Sequence, residues 1–115
     1  MHIDEYRDYC LRKPGVTEEF PFDDIVLTFK VMGKIFALTD VDHFESINLK
    51  CEPIRAIELR ETYSGIIPGY HMNKKHWNTV KMDGSVNDLL ICELIDHSYD
   101  LVVNGLPKKL RDELN

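Results

Sequence analysis

Residues 23–51, "DDIVLTFKVMGKIFALTDVDHFESINLKC", alternate apolar and polar side chains three times over. Ile25, Leu27, Phe29 and Val31 point one way, and Val26, Thr28 and Lys30 the other. That period of two is the signature of a strand with one buried face. Gly33 sits between two such runs and predicts a tight hairpin with a return strand over residues 34–39. "SINLKC" repeats the pattern, with Ile47, Leu49 and Cys51 inward and Ser46, Asn48 and Lys50 outward. Three such strands at short spacing predict an antiparallel meander, whose apolar face needs a cover.

Helical patterns flank the meander and supply the cover. Ile3, Tyr6, Cys10 and Leu11 form one stripe over residues 3–13, which Pro14-Gly15 ends. Pro53 opens a second helix, "PIRAIELRETY", with Ala56, Leu59 and Tyr63 on a face. "HWNTVKM", residues 76–82, returns to strand spacing, and Asp83-Gly84 makes a turn. Ser85 and Asp88 predict a capping box for a helix of roughly twenty residues. Its stripe reads Val86, Leu90, Leu94, His97 and Leu101, and Gly105 and Pro107 end it. The order is α-β-β-β-α-β-α, with room for short strands near 16–20 and 65–70. The expected fold is a single α+β domain of 115 residues, a two-layer sandwich with helices on one face of a mostly antiparallel sheet.

The charge is uneven. The chain carries −6 overall, yet residues 46–82 hold six lysines and arginines against three carboxylates. The flanking thirds, 1–45 and 83–115, carry ten against five and seven against three in the opposite sense. A uniformly acidic chain repels nucleic acid, whereas a basic middle third allows a local patch. "PGYHMNKKHWNTV", Pro68 to Val80, concentrates it: Lys74, Lys75 and Lys81 stand among His71, His76, Tyr70 and Trp77. Cations beside aromatic rings suit phosphate neutralisation and base contacts. Arg60, and Lys30 and Lys34 beside the Gly33 turn, extend the candidate set.

Other chemistries find little support. Three widely spaced cysteines without a CxxC pair suit reduced, buried thiols and a cytoplasmic protein. The polar N-terminus reads as no signal peptide, and no apolar run is long enough to span a bilayer. There is no nucleophile elbow, Walker A loop or glycine-rich dinucleotide motif, so a non-enzymatic role without a cofactor is expected. His71 and His76 lack further ligands nearby, so no metal site is expected, and His97 reads as a satisfied core histidine.

"YCLRKPGVTEEFPFD", "PGYHMNKKHWNTV" and "IDHSYDLVVNGLPKK" occur in the order of the hallmark segments of the MmcQ/YjbR family, and the chain resembles that family from Tyr9 to Lys109. The shared positions are Pro14, Gly15, Phe20, Pro21, Pro68, Gly69, Lys74, His76, Trp77, Asn78, Ser98, Tyr99 and Pro107. None is a catalytic group of the family. The resemblance implies a CyaY-like, double-wing α/β fold in a bacterial protein, and DNA as a partner. The Gly33 turn and the Lys74–Lys75 loop read as the two wings. A second reading is a protein- or small-ligand-binding domain with a groove lined by Tyr70, Trp77 and Tyr99. A third, by analogy with the CyaY-like fold, is frataxin-type iron binding by Asp4, Glu5, Asp8, Glu18 and Glu19.

Overall fold

The structure is a computed structural model that describes residues 1–70 and 72–114. Helix α1 (Ile3–Leu11) begins where the Glu5 carboxylate accepts the His2 amide at 2.9 Å, and it buries Tyr6 and Cys10. It ends at Leu11, the last residue of its apolar stripe and two residues short of the expected 3–13. Lys13 is instead turned onto Asp96, beside the rings of Tyr9 and Tyr99.

Strands β1 (Val16–Glu19), β2 (Val26–Val31), β3 (Lys34–Asp40) and β4 (Ser46–Lys50) follow. The β2–β3 turn has positive φ at both central residues, 50° at Met32 and 84° at Gly33. This is the primed geometry that matches strand twist, and it explains the glycine. Helix α2 (Pro53–Thr62) is capped by Glu52, whose carboxylate accepts the amides of Ile54 and Arg55 at 3.0 and 2.9 Å. Then come β5 (Ile66–Pro68), β6 (Trp77–Lys81), helix α3 (Asp88–Asn104) and a short α4 (Lys108–Asp112). Both of the short strands the sequence left room for are therefore formed.

The six strands make one antiparallel sheet in the order β1-β2-β3-β4-β6-β5. The helices lie on one face, packed over Leu27, Phe29, Ala37, Ile47, Leu49 and Val80. Between β2 and β3 the register jumps: Phe29 faces Ala37, but Lys30 faces Ile35, leaving Phe36 as an extra residue. This bulge turns two consecutive residues, Phe36 and Ala37, into the core, where both are fully buried. Phe36 meets Tyr99 edge-on, with ring centroids 5.4 Å apart, and Tyr6 meets Phe29 in the same way.

Helix α3 corrects two expectations. Its cap is Asn87, which accepts the Leu90 amide at 2.8 Å. Ser85 instead hydrogen-bonds Asp83 and closes the turn before it. The buried stripe is Ile91, Leu94, Ile95, Ser98, Tyr99 and Val102, about one residue on from the expected Leu90, Leu94, His97 and Leu101, of which Leu90, His97 and Leu101 are only partly buried. No helix among the described residues is long and apolar enough to cross a membrane.

Candidate nucleic-acid interface

With the helices on one side, the other, open face of the sheet is free of helices, although Thr28 and Thr79 on it are buried. Alternation places Thr28, Leu38, Asn48, Thr79 and Ile67 in one row across it, each opposite the next. The register also gives the sheet two chemically different ends. At one end Lys50 stands opposite Trp77, Lys34 leaves the β2–β3 turn, and the loop carrying Lys74, Lys75 and His76 enters β6. At the other lie Asp23 and Asp24 before β2, Asp40 at the end of β3, Asp42 and Glu45 between β3 and β4, and Asp83 after β6. An acidic chain thus keeps a basic end by segregating charge along its strands.

The loop between β5 and β6 is held from several sides. The Gly69 amide donates to the Trp77 carbonyl at 2.9 Å, and the Tyr70 amide to Thr79 Oγ1 at 2.9 Å. Thr79 Oγ1 in turn donates to Asn48 Oδ1, which fastens the loop across the open face. The Cys51 amide donates to the His76 carbonyl at 2.8 Å, and Asn73 Oδ1 accepts the Lys75 amide at 3.0 Å. Asn78 faces the helices, buried, its amide 3.4 Å from the Ala56 carbonyl. Asn78 thus joins the strand to α2, while its Oδ1 is buried without a hydrogen-bond partner among the described residues.

The candidate cations divide. Lys34, Lys74 and Lys75 are exposed at the basic end. Lys74 Nζ lies 3.3 Å from the Gly69 carbonyl, within the same loop. Lys30 is on the open face but paired with Glu19 at 2.9 Å. Arg60 is not a free phosphate contact: its Nε donates to the Ala56 carbonyl at 3.1 Å and one Nη to the Lys74 carbonyl at 3.2 Å. It braces the loop that presents the lysines. Lys81 is also misplaced by the sequence reading. It pairs in register with Ser46, at the acidic end, roughly 13 Å along the strand from Trp77. There it faces Asp83, whose carboxyl is held below its usual range chiefly by the hydroxyl of Ser85. Lys50, on the polar face of β4 opposite Trp77, stands at the basic end in its place.

The aromatic groove does not assemble. Trp77 shares the open face with Thr79, while Tyr99 is buried on the helix side, its hydroxyl donating to the Pro14 carbonyl at 2.6 Å. Lys108 and Arg111 also border Pro14 and Tyr99, behind the hairpin. The acidic set proposed for iron is dispersed in its bonding. Glu18 takes a two-point contact from Arg7 at 2.9 and 2.5 Å, Glu19 binds Lys30, and Glu5 caps α1. The Arg7 hydrogen bond holds the Glu18 carboxyl below its ordinary value. Among the described residues no three His, Cys, Asp or Glu side chains converge as a metal-ligand set. His71, the other half of the histidine pair, lies outside the described residues.

Burial keeps the remaining reactive groups quiet. The Cys10 thiol is pushed up to about 12 and that of Cys51 to about 11, so both stay protonated at neutral pH. His97 is half-buried and accepts the Glu52 amide at 3.1 Å, as expected of a satisfied histidine.

The YjbR family model matches residues 11–101. The chain is 38% identical over 112 residues to the Escherichia coli K12 protein YjbR, covering 96% of this chain and 95% of that one. It is 40% identical over 101 residues to YbdF of Escherichia coli O157:H7, covering 87% and 83%. A crystal structure of a Deinococcus radiodurans protein with a DUF419 domain superposes with a TM-score of 0.90 at 44% identity, covering 97% of this chain and 86% of that one. A Pseudomonas syringae crystal structure follows at 0.75 and 29%, covering 88% and 98%. The matched span runs from the end of α1 to the last turns of α3 and so takes in the whole sheet, the Lys74–Lys75 loop and Ser98: the chain belongs to the YjbR family.

Proposed function

We propose that the chain is a non-enzymatic DNA-binding module that grips backbone phosphates with the basic end of its sheet. One observation carries this reading: strand register brings Lys34, Lys50, Lys74 and Lys75 to one end, while the loop carboxylates of the open face gather at the other. Lysines on short, braced turns pay little to be ordered at a polyanion. Arg60 and Asn73 fix the main chain under Lys74 and Lys75. The acidic end repels the duplex, so the net charge of −6 orients the complex instead of preventing it. With phosphates as the contacts, the module reads little base sequence.

The test is fluorescence anisotropy of a labelled duplex at two salt concentrations. The wild type binds at low salt, and each phosphate contact contributes about 0.9 to the log–log salt slope. The combined Lys34→Ala, Lys50→Ala, Lys74→Ala and Lys75→Ala variant loses binding. Absence of low-salt binding by the wild type, or equal binding by the variant, overturns the reading.

A further inference from the structure

The acidic half of the open face holds a groove of about 580 Å³. Leu38 and Asn48 form its floor, and Phe22 and Tyr70 stand over it from two different loops. Asp40 and Glu45 lie at its rim, with His43 between them in sequence. The volume falls in the range of about 300–1,000 Å³ usual for small-molecule sites, which combine apolar walls with a few placed polar groups.

Its chemistry is specific in sign. Neither Asp40 nor Glu45 forms an ion pair among the described residues. The Asp42 amide donates to Asp40 Oδ1 at 2.8 Å, which orients that carboxylate and leaves Oδ2. The neighbouring loops add Asp23, Asp24 and Asp83 against the lysine of this end, Lys81 opposite Ser46, so the balance is negative and disfavours an anionic ligand. Phe22 is 74% exposed and Tyr70 67%, unusual for large rings and suited to an apolar body or a cation above an aromatic face. We propose that this groove binds a small organic cation, a primary amine carried on an aromatic ring system. The amine meets Asp40 and Glu45, and the body lies on Leu38 between Phe22 and Tyr70. The carboxylates of the groove lie at the opposite end from the DNA-contacting lysines, whereas Tyr70 shares the β5–β6 loop with Lys74 and Lys75; the proposal does not depend on the DNA reading.

The experiment is a ¹H–¹⁵N NMR titration of the full chain with tryptamine, and in parallel with indole-3-propionate, which keeps the ring and reverses the charge. Tryptamine has about 12 non-hydrogen atoms, for which a Kd near about 1 mM is expected. It shifts the amides of Leu38 and Asn48, and indole-3-propionate does not. The exposed double change Asp40→Asn, Glu45→Gln weakens tryptamine at least roughly tenfold, and Lys34→Ala leaves it unchanged. Nα-acetyl-lysine methylamide presents the same amine as a peptide side chain. Tighter binding of that probe than of tryptamine transfers the groove to a peptide lysine and overturns the proposal. Equal shifts from indole-3-propionate, shifts away from the groove, or an unchanged Kd in the double variant also overturn it.

Discussion

Ser98 Oγ donates a 2.5 Å hydrogen bond to the carbonyl of Phe36, the extra residue of the β2–β3 bulge, and accepts the Lys50 amide at 2.9 Å. One fully buried hydroxyl therefore satisfies two main-chain groups that the sheet leaves unpaired, and ties α3 to β3 and β4. Ser98→Ala strips both partners at once. It is expected to cost about 1–3 kcal/mol in urea unfolding with DNA affinity unchanged. A cost below about 0.5 kcal/mol, within the range of an ordinary surface change, contradicts this role.

His97, one residue earlier on α3, titrates against the fold. Burial first, then the charge of Arg55, lowers its pKa, and the neutral ring accepts the Glu52 amide. Protonation would set a donor against that donor. A histidine depressed in the folded state stabilises above its unfolded value, about 6.5, and loses that contribution as pH falls towards the folded value. Wild type should exceed His97→Ala by about 1 kcal/mol at pH 7.5, and the gap should narrow at pH 5. Urea unfolding at the two pH values reads it, and a constant gap refutes the coupling.

Lys30 is on the open face but is held by Glu19 at 2.9 Å. If phosphates bind this end, the carboxylate competes with them. Glu19→Gln should then strengthen duplex binding at low salt and steepen the salt slope by up to about 0.9. Folding stability should change by less than about 1 kcal/mol, since the pair is partly solvated. Unchanged or weaker binding in the anisotropy assay rejects a role for Lys30.

Much of this architecture is legible in the residues. Alternation through Leu27, Phe29 and Val31, and through Ile47 and Leu49, assigns the buried face correctly, because one face of each strand must meet the helices. Lys50 was visible as a polar-face residue, but its neighbour Trp77 is set by the β4–β6 pairing, which no local pattern specifies. For the same reason Lys81 looked close to Lys74 in sequence and lies at the far end of the strand. Tyr99 and Tyr70 have similar chemistry and fall on opposite sides of the sheet. Hydropathy does not mark Ser98, because its burial here rests on the Phe36 carbonyl that the bulge turns towards it.

Gly69 and Gly33 both sit at turns but for different reasons, and alanine separates them. At Gly33 nothing lies within 4 Å of an added Cβ, and the position is special only for its φ of +84°. Gly33→Ala should therefore cost about 1–2 kcal/mol of left-handed strain. At Gly69 a Cβ would lie 2.7 Å from the Trp77 Cβ and 2.9 Å from the Trp77 carbonyl oxygen, and the latter is main chain. That oxygen already accepts the Gly69 amide, so relieving the clash means parting the pair that closes the loop. The bond from the Tyr70 amide to Thr79 would follow, and with it the placement of Lys74, Lys75 and the ring over the groove. Gly69→Ala should lower stability by more than Gly33→Ala, change the fluorescence of Trp77, and weaken both duplex and tryptamine binding. Gly33→Ala should leave tryptamine binding intact. Equal costs at the two glycines, with Trp77 emission unmoved, would mean the loop relaxes freely and does not position either surface.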